Sequence, residues 1–288
     1  MFDRSFSAER KSPRLGRRLS AASAALLALA AAPLAAAEPG SDSRRVDLEL
    51  ILAVDVSGSI DPDEADLQRK GYLRALHDPE VIRAIKSGPE GRIAVTYVEW
   101  AGMGHYKTVT GWSVIDGEES AKAFAGRLGA QPIESAHRTS VSGAIDGSVP
   151  LFAANAYDGA RRVVDISGDG ANNYGRLVTE ARDAAVKEGV TINGLPILTN
   201  TSSGAYPTPP DLDLFFRDCV IGGPGAFYIV AHGFEDFARA VRKKLIIEIA
   251  GAPPERLWHA AAEDKRQGPP CDIGERRWMS IIRGGIER

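Results

Sequence analysis

Leu50-Ile51-Leu52-Ala53-Val54-Asp55-Val56-Ser57-Gly58-Ser59 is the stretch on which the reading of this chain turns. Its first five residues form an uninterrupted apolar run of mostly branched side chains, the pattern of a strand buried on both faces. Such strands belong to parallel sheets covered by helices. Where the run stops, a carboxylate (Asp55) and two hydroxyls (Ser57 and Ser59) alternate, and Gly58 lets the backbone turn sharply. Three small oxygen ligands on one tight loop suit a hard divalent cation, magnesium before manganese or calcium. Ordinary turns also use Ser and Asp, so the cation reading needs partners elsewhere in the chain.

Working outward, residues 47–54 are predicted as the first strand. Asp61-Pro62-Asp63-Glu64 then carries the signature of a helix start, with Asp as cap, Pro in the first turn and Glu at the capping-box position. This helix is predicted to stop before Pro79. Residues 92–100 and 105–114 read as two strands joined by a short connection, hence an antiparallel pair. After them helices (118–128, 140–154, 174–188, 211–219, 234–250) alternate with strands (161–167, 190–198, 226–231). Alternation of this kind predicts an α/β fold: a doubly wound, mostly parallel sheet with one antiparallel edge strand and helices on both faces.

The ends of the chain read differently. Arg10, Lys11, Arg14, Arg17 and Arg18 precede an Ala/Leu-rich stretch (residues 19–34), and Ala35-Ala36-Ala37 supplies the small residues of a cleavage site. The expectation is a signal peptide over residues 1–37, cleaved after Ala37, and a periplasmic or secreted protein with no remaining membrane anchor. Arg17-Arg18 raises a twin-arginine route, but Leu19-Ser20 supports it weakly, and the general secretory route is favoured. Residues 38–45 read as a linker, 46–250 as the domain and 251–288 as a tail packed on it. Only two cysteines occur, Cys219 and Cys271. In an oxidising compartment a disulfide between them is the default, against two unrelated buried thiols. A net charge of −3 and a pI near 6.0 give no basic face for nucleic acid.

Two further segments answer the opening loop. In a doubly wound sheet, ligands bind beyond the carboxyl ends of the strands where strand order reverses. Strand 161–167 ends at Gly168-Asp169-Gly170, and Arg138-Thr139-Ser140 precedes a helix. If the two strands are neighbours across the switch point, Asp55, Ser57, Ser59, Thr139 and Asp169 converge. With these residues the chain resembles a von Willebrand factor type A domain carrying a metal-ion-dependent adhesion site. The family's Asp-x-Ser-x-Ser motif is met by Asp55, Ser57 and Ser59, its isolated threonine by Thr139, and its Asp-Gly pair by Asp169-Gly170. Glu99-Trp100, Ile166-Ser-Gly-Asp-Gly170 and Ile221-Gly-Gly-Pro-Gly-Ala-Phe227, with the signal peptide, resemble an exported bacterial branch of unknown function.

The resemblance implies direct ligation by Ser57, Ser59 and Thr139, with Asp55 and Asp169 acting largely through bound water. It also implies a partner protein whose acidic side chain completes the metal shell. One departure stands out: the family places Thr immediately before the last aspartate, and here Gly168 is preceded by Ser167. That puts hydrogen bonding at this corner in question. Asp165, inside a predicted central strand, reads as half of a structural ion pair with a buried Arg or His, or else marks a less buried strand face. Glu99 supports the site loop or is a solvated strand end. Asn172 and Asn173 contact a ligand or merely satisfy turns, and loop 199–210 is a candidate rim for partner selection or, equally, a floppy connector. Trp100 and Trp112 read as packing residues.

Enzyme signatures are lacking. The sequence has no Gly-x-Ser-x-Gly elbow, no phosphate loop and no His-Glu-x-x-His helix, and its histidines are scattered. The expected function is therefore a non-catalytic, cation-dependent protein-binding module of adhesion or scaffold type. The alternative is metal-assisted hydrolysis at the same site, since a cation with an open position can activate water.

Overall fold

A computed structural model of the chain describes residues 44–102, 104–199, 209, 211–251 and 266–286. All of them fall in one compact unit, Pro39–Arg288. The expected leader and most of the linker lie outside the described residues, as does nearly all of loop 199–210. The elements run β1 (Arg45–Val46), β2 (Glu49–Asp55), α1 (Pro62–Leu76), α2 (Pro79–Lys86), β3 (Ile93–Trp100), β4 (Tyr106–Ile115), α3 (Glu118–Gly129) and α4 (Val141–Ala153). They continue β5 (Asp158–Gly159), β6 (Arg162–Gly168), α5 (Val178–Lys187), β7 (Val190–Pro196), α6 (Leu212–Phe215), a π turn (Phe216–Val220), α7 (Phe237–Ala250) and α8 (Ile273–Ile286).

β2 sits in the middle of a five-stranded sheet of order β4-β3-β2-β6-β7, and only the β3–β4 pairing is antiparallel. This is the architecture expected from the sequence. All seven residues of β2 are buried, and the period of two sends them alternately to two cores. Leu50, Leu52 and Val54 join Tyr72, Phe124 and Phe237 on one face, while Ile51 and Ala53 join Val141, Ile145 and Phe215 on the other. The chain leaves β2 for β3 on one side and returns to β6 on the other. Strand order therefore reverses between β2 and β6, beside Asp55.

Several elements depart from the sequence reading, each for a local reason. Pro79 does end α1, but Asp78 then caps a second helix, accepting from Glu80 N at 2.8 Å, so the same proline opens α2. α5 begins at Val178 rather than at residue 174. The expected strand 226–231 runs beside β7 only as isolated bridges. There Phe227 N donates at 2.9 Å to the Asn193 side chain, a partner outside a backbone ladder. The expected helix 211–219 is one α turn continued by the π turn. The tail contains α8, which the Gly- and Arg-containing sequence did not announce. As expected, Cys219 and Cys271 are disulfide-bonded, with a Cα–Cα distance of 5.4 Å, which ties the start of α8 to the π turn. None of the described helices is long and apolar enough to cross a membrane.

Asp165 is half of a buried ion pair, but its partner is a lysine. Lys244 Nζ on α7 lies 2.6 Å from Asp165 Oδ1 and 2.5 Å from Glu248 Oε1. Asn193 Nδ2 also donates to Glu248 Oε1 at 2.8 Å. Burial, then repulsion from Glu248, pushes Asp165 up to about 7 against the attraction of Lys244. Removing one member of a buried pair leaves an uncompensated charge. Lys244→Ala is therefore expected to destabilise the fold by about 3–5 kcal/mol near neutral pH. Urea denaturation should show a smaller loss in acid, where protonation of Asp165 removes its orphaned charge.

Candidate metal cleft at the sheet switch point

Three loops meet beyond the end of β2. In the first, Ser57 N donates to Asp55 Oδ1 at 2.8 Å and Ile60 N to Ser57 O at 3.0 Å, which folds Asp55–Ser59 into a tight turn. Gln68 on α1 donates from Nε2 to Asp55 O at 3.2 Å and fixes the turn from beneath. The second loop is laced to the first through Ala136 N and Val56 O, 3.1 Å apart. Arg138 then takes a left-handed conformation, φ 71°, directly before Thr139. That conformation is uncommon for a side chain other than Gly, Asn or Asp. Gly102 N donates to Arg138 O at 2.7 Å, and a Cβ at Gly102 would run into Arg138.

The third loop supplies Asp169 and the two asparagines. Asn173 Oδ1 accepts from Thr139 N at 3.0 Å, and Asn173 N donates to Thr139 O at 2.9 Å. Asn172 Oδ1 accepts from Ser142 N at 3.0 Å. These asparagines are thus cross-links that set Thr139 against Asp169, a role between the two the sequence suggested.

All five predicted site residues come together. Ser59 Oγ donates to Asp169 Oδ1 at 2.7 Å, Ser57 and Ser59 hydroxyls lie 3.2 Å apart, and Thr139 Oγ1 donates to Ser57 Oγ at 3.4 Å. Ser59 is exposed, while the other four are buried, Asp55 completely. Asp55 Oδ2 is buried with no hydrogen-bond partner among the described residues. Burial, then the charge of Asp169, raises Asp55 well above the usual carboxylate range. Burial, together with the charge of Glu64 and against the hydrogen bond from Ser59, pushes Asp169 up to about 6. Two desolvated carboxylates, an orphaned oxygen and three converging hydroxyls fit a hard divalent cation. Among the described residues no group of three or more His, Cys, Asp and Glu has metal-binding geometry, so any such site depends on the hydroxyls.

The Gly168 departure has a steric cause. A Cβ there would stand 2.8 Å from Asp55 Oδ2 and 3.4 Å from Trp100 Cη2, so the Asp55 carboxylate and a buried indole fill the space. Ser167 hydrogen-bonds to Tyr72 OH at 3.3 Å, and its side chain is engaged there. Glu99 fits neither reading offered for it. It is buried and paired with Arg69, whose Nη1 donates to Leu128 O at 2.8 Å, so the pair locks α1 to the end of α3. Trp100 is core, as read.

α8 forms the remaining wall, which the sequence reading missed. A Cβ at Gly274 would collide with Asn172 O, so only glycine permits this approach. Glu275 Oε1 accepts from Asn172 Nδ2 at 2.7 Å, and the Trp278 ring covers the Arg138 guanidinium, 3.7 Å from the ring centroid. A cleft of about 60 Å³ lies between Ser59, Thr139, Asp169, Asn173 and, from α8, Arg277 and Trp278. Apolar Trp278, Ile281 and Ile282 at i, i+3 and i+4 were the available signal for this helix.

Sheet order, switch point and loop set define a von Willebrand factor type A-like fold. The chain belongs to the family described as "Protein of unknown function (DUF1194)", which matches residues 45–253. Solved structures share the fold at low identity. Proximal thread matrix protein 1 from the mussel byssus has a TM-score of 0.51 and 17% identity over 72% of this chain and 47% of that one. A form of that protein described as having a zinc-occupied MIDAS motif has a TM-score of 0.50 and 16% identity, covering 71% and 46%. The pilus adhesin SpaC from Lactobacillus rhamnosus GG has a TM-score of 0.51 and 12% identity, covering 71% and 30%. This chain thus matches less than half of each of those proteins. No curated protein matches in sequence.

The raised carboxylates yield a pH prediction. An acid whose folded pKa exceeds its unfolded value binds its proton more tightly in the folded chain, so stability is lost as pH rises. For Asp169 the window runs from 3.8 to about 6. Cation-free protein should accordingly lose about 3 kcal/mol from Asp169 alone between near pH 4 and near pH 7. Thermal denaturation should show that loss flattened by Asp169→Asn or by added magnesium.

Proposed function

We propose that this protein is an exported, non-catalytic binding module that captures a protein partner through a divalent cation at the switch point. The observation that carries the reading is the buried Asp55 Oδ2, without a hydrogen-bond partner among the described residues, within a cluster otherwise made of Asp169 and three hydroxyls. Ser57, Ser59 and Thr139 would hold the ion directly, with Asp55 and Asp169 acting mainly through bound water. Magnesium is the ion we favour, because every donor is a hard oxygen. When bound, the cation supplies a positive charge that two carboxylates and neutral hydroxyls leave able to accept an acidic group from a partner.

The chain's own residues prepare that capture. Asn173 orients Thr139, Gln68 and the Ser57 amide orient Asp55, and exposed Ser59 leaves one side approachable. The adhesin and matrix proteins that share the fold support a role in protein interaction. Export is supported by the Ala/Leu-rich leader and by the disulfide.

Asp55→Ala should weaken magnesium binding, measured by calorimetry, by roughly 10- to 100-fold while the circular dichroism spectrum is retained. The same substitution, or a chelator, should abolish partner capture from envelope extract. Capture that survives both would contradict the proposal.

A further inference from the structure

α8 lies beyond residues 45–253, the span the family matches, yet it lines the cleft. Trp278 borders two compartments. One is the space of about 60 Å³ over Thr139 and Asp169. The other, about 320 Å³, is lined by Gly58, Ser59, His137, Arg138, Thr139, Asn173 and Trp278. Both are bounded by Ser59, Thr139, Asn173 and Trp278, so they are neighbours across the same hydroxyls. The smaller space is of a size for an ion and a few waters, while the larger reaches the range of small-ligand pockets.

We propose that the larger compartment is a recognition subsite for an aromatic side chain carried within a few bonds of the acidic group that reaches the ion, with Trp278 as its specificity-determining wall. This rests on the cation-capture reading above. Three observations carry it. The compartment abuts Ser59 and Thr139, so a group filling it cannot be far from the carboxylate. Its wall is a flat ring backed by a guanidinium: Arg138 lies under Trp278 and donates from Nε to Asn173 Oδ1 at 3.1 Å. Such a surface accepts ring faces and edges. The wall is also pre-organised, since the Cys219–Cys271 disulfide, the Gly274 contact and the Asn172–Glu275 hydrogen bond hold α8 in place before any ligand arrives. The Arg138 guanidinium adds positive charge beside this compartment.

The test uses the full mature chain and two small acids, propionate and 3-phenylpropionate, which differ by a ring. Manganese binding is measured first, by electron paramagnetic resonance. Affinities of both acids for the magnesium-loaded protein are then measured by NMR titration, following the Thr139 and Asn173 backbone amide resonances, which every variant retains. Wild type should prefer 3-phenylpropionate roughly tenfold. Trp278→Ala should remove that preference while leaving propionate affinity and manganese stoichiometry unchanged, and Trp278→Phe should restore most of it. Equal affinities in wild type, or a preference undiminished in Trp278→Ala, would overturn the subsite while leaving the ion reading intact. Absence of manganese binding would overturn both. Should Trp278→Ala fail to fold, the wild-type ratio and Trp278→Phe still decide the matter.

Discussion

Burial of Asp55 at the end of β2 and of Asp169 just beyond β6, where strand order reverses, is the constraint around which the rest is arranged. β2 must be apolar from Leu50 to Val54 to lie at the centre of the sheet, and β6 must pair with it in parallel register to bring Asp169 alongside. Gly168 must lack a side chain because the Asp55 carboxylate fills that space. Burial first, and then repulsion by Asp169 on Asp55 and by Glu64 on Asp169, makes both carboxylates hold their protons more tightly than free acids.

A second pair of buried acids, Asp165 on β6 and Glu248 on the α7 helix packed against the sheet, makes the contrast plain. Asp165 and Glu248 are served by Lys244, an ammonium built into α7, and by Asn193. Their charge is settled within the chain, which is what a structural ion pair needs. Asp55 and Asp169 are instead surrounded by hydroxyls, amides and a third acid. One fold thus holds one acid pair that carries its own cation and one whose chemistry suits a cation from solution. This contrast, more than the motif itself, favours a metal over an ordinary turn.

Much of this was legible in the sequence. The apolar run ending at Asp55, the strand ending at Asp169 and the helix start after Thr139 predicted the convergence, because strand ends and helix starts are local signals. The disulfide was legible because only two cysteines exist. The partner of Asp165 was not, since Lys244 lies on a distant helix whose apolar periodicity hides one buried ammonium. Glu99 was misread for the same reason, its partner Arg69 being unremarkable on an amphipathic helix. α2 was missed because Pro79 both ends one helix and begins the next. α8 was missed because Gly274, Gly284 and Gly285 argue against a helix. Gly274 is nonetheless required by the close approach to Asn172.

The central claim is that these two carboxylates and three hydroxyls form one cation site. Titration of the full chain with manganese, followed by electron paramagnetic resonance, tests it most directly. The account predicts a single saturable ion per chain in wild type, competed by magnesium and lost when Ser57 and Thr139 are both replaced by alanine in a chain that remains folded. Manganese binding unchanged in that double variant, or no binding in wild type, would contradict it.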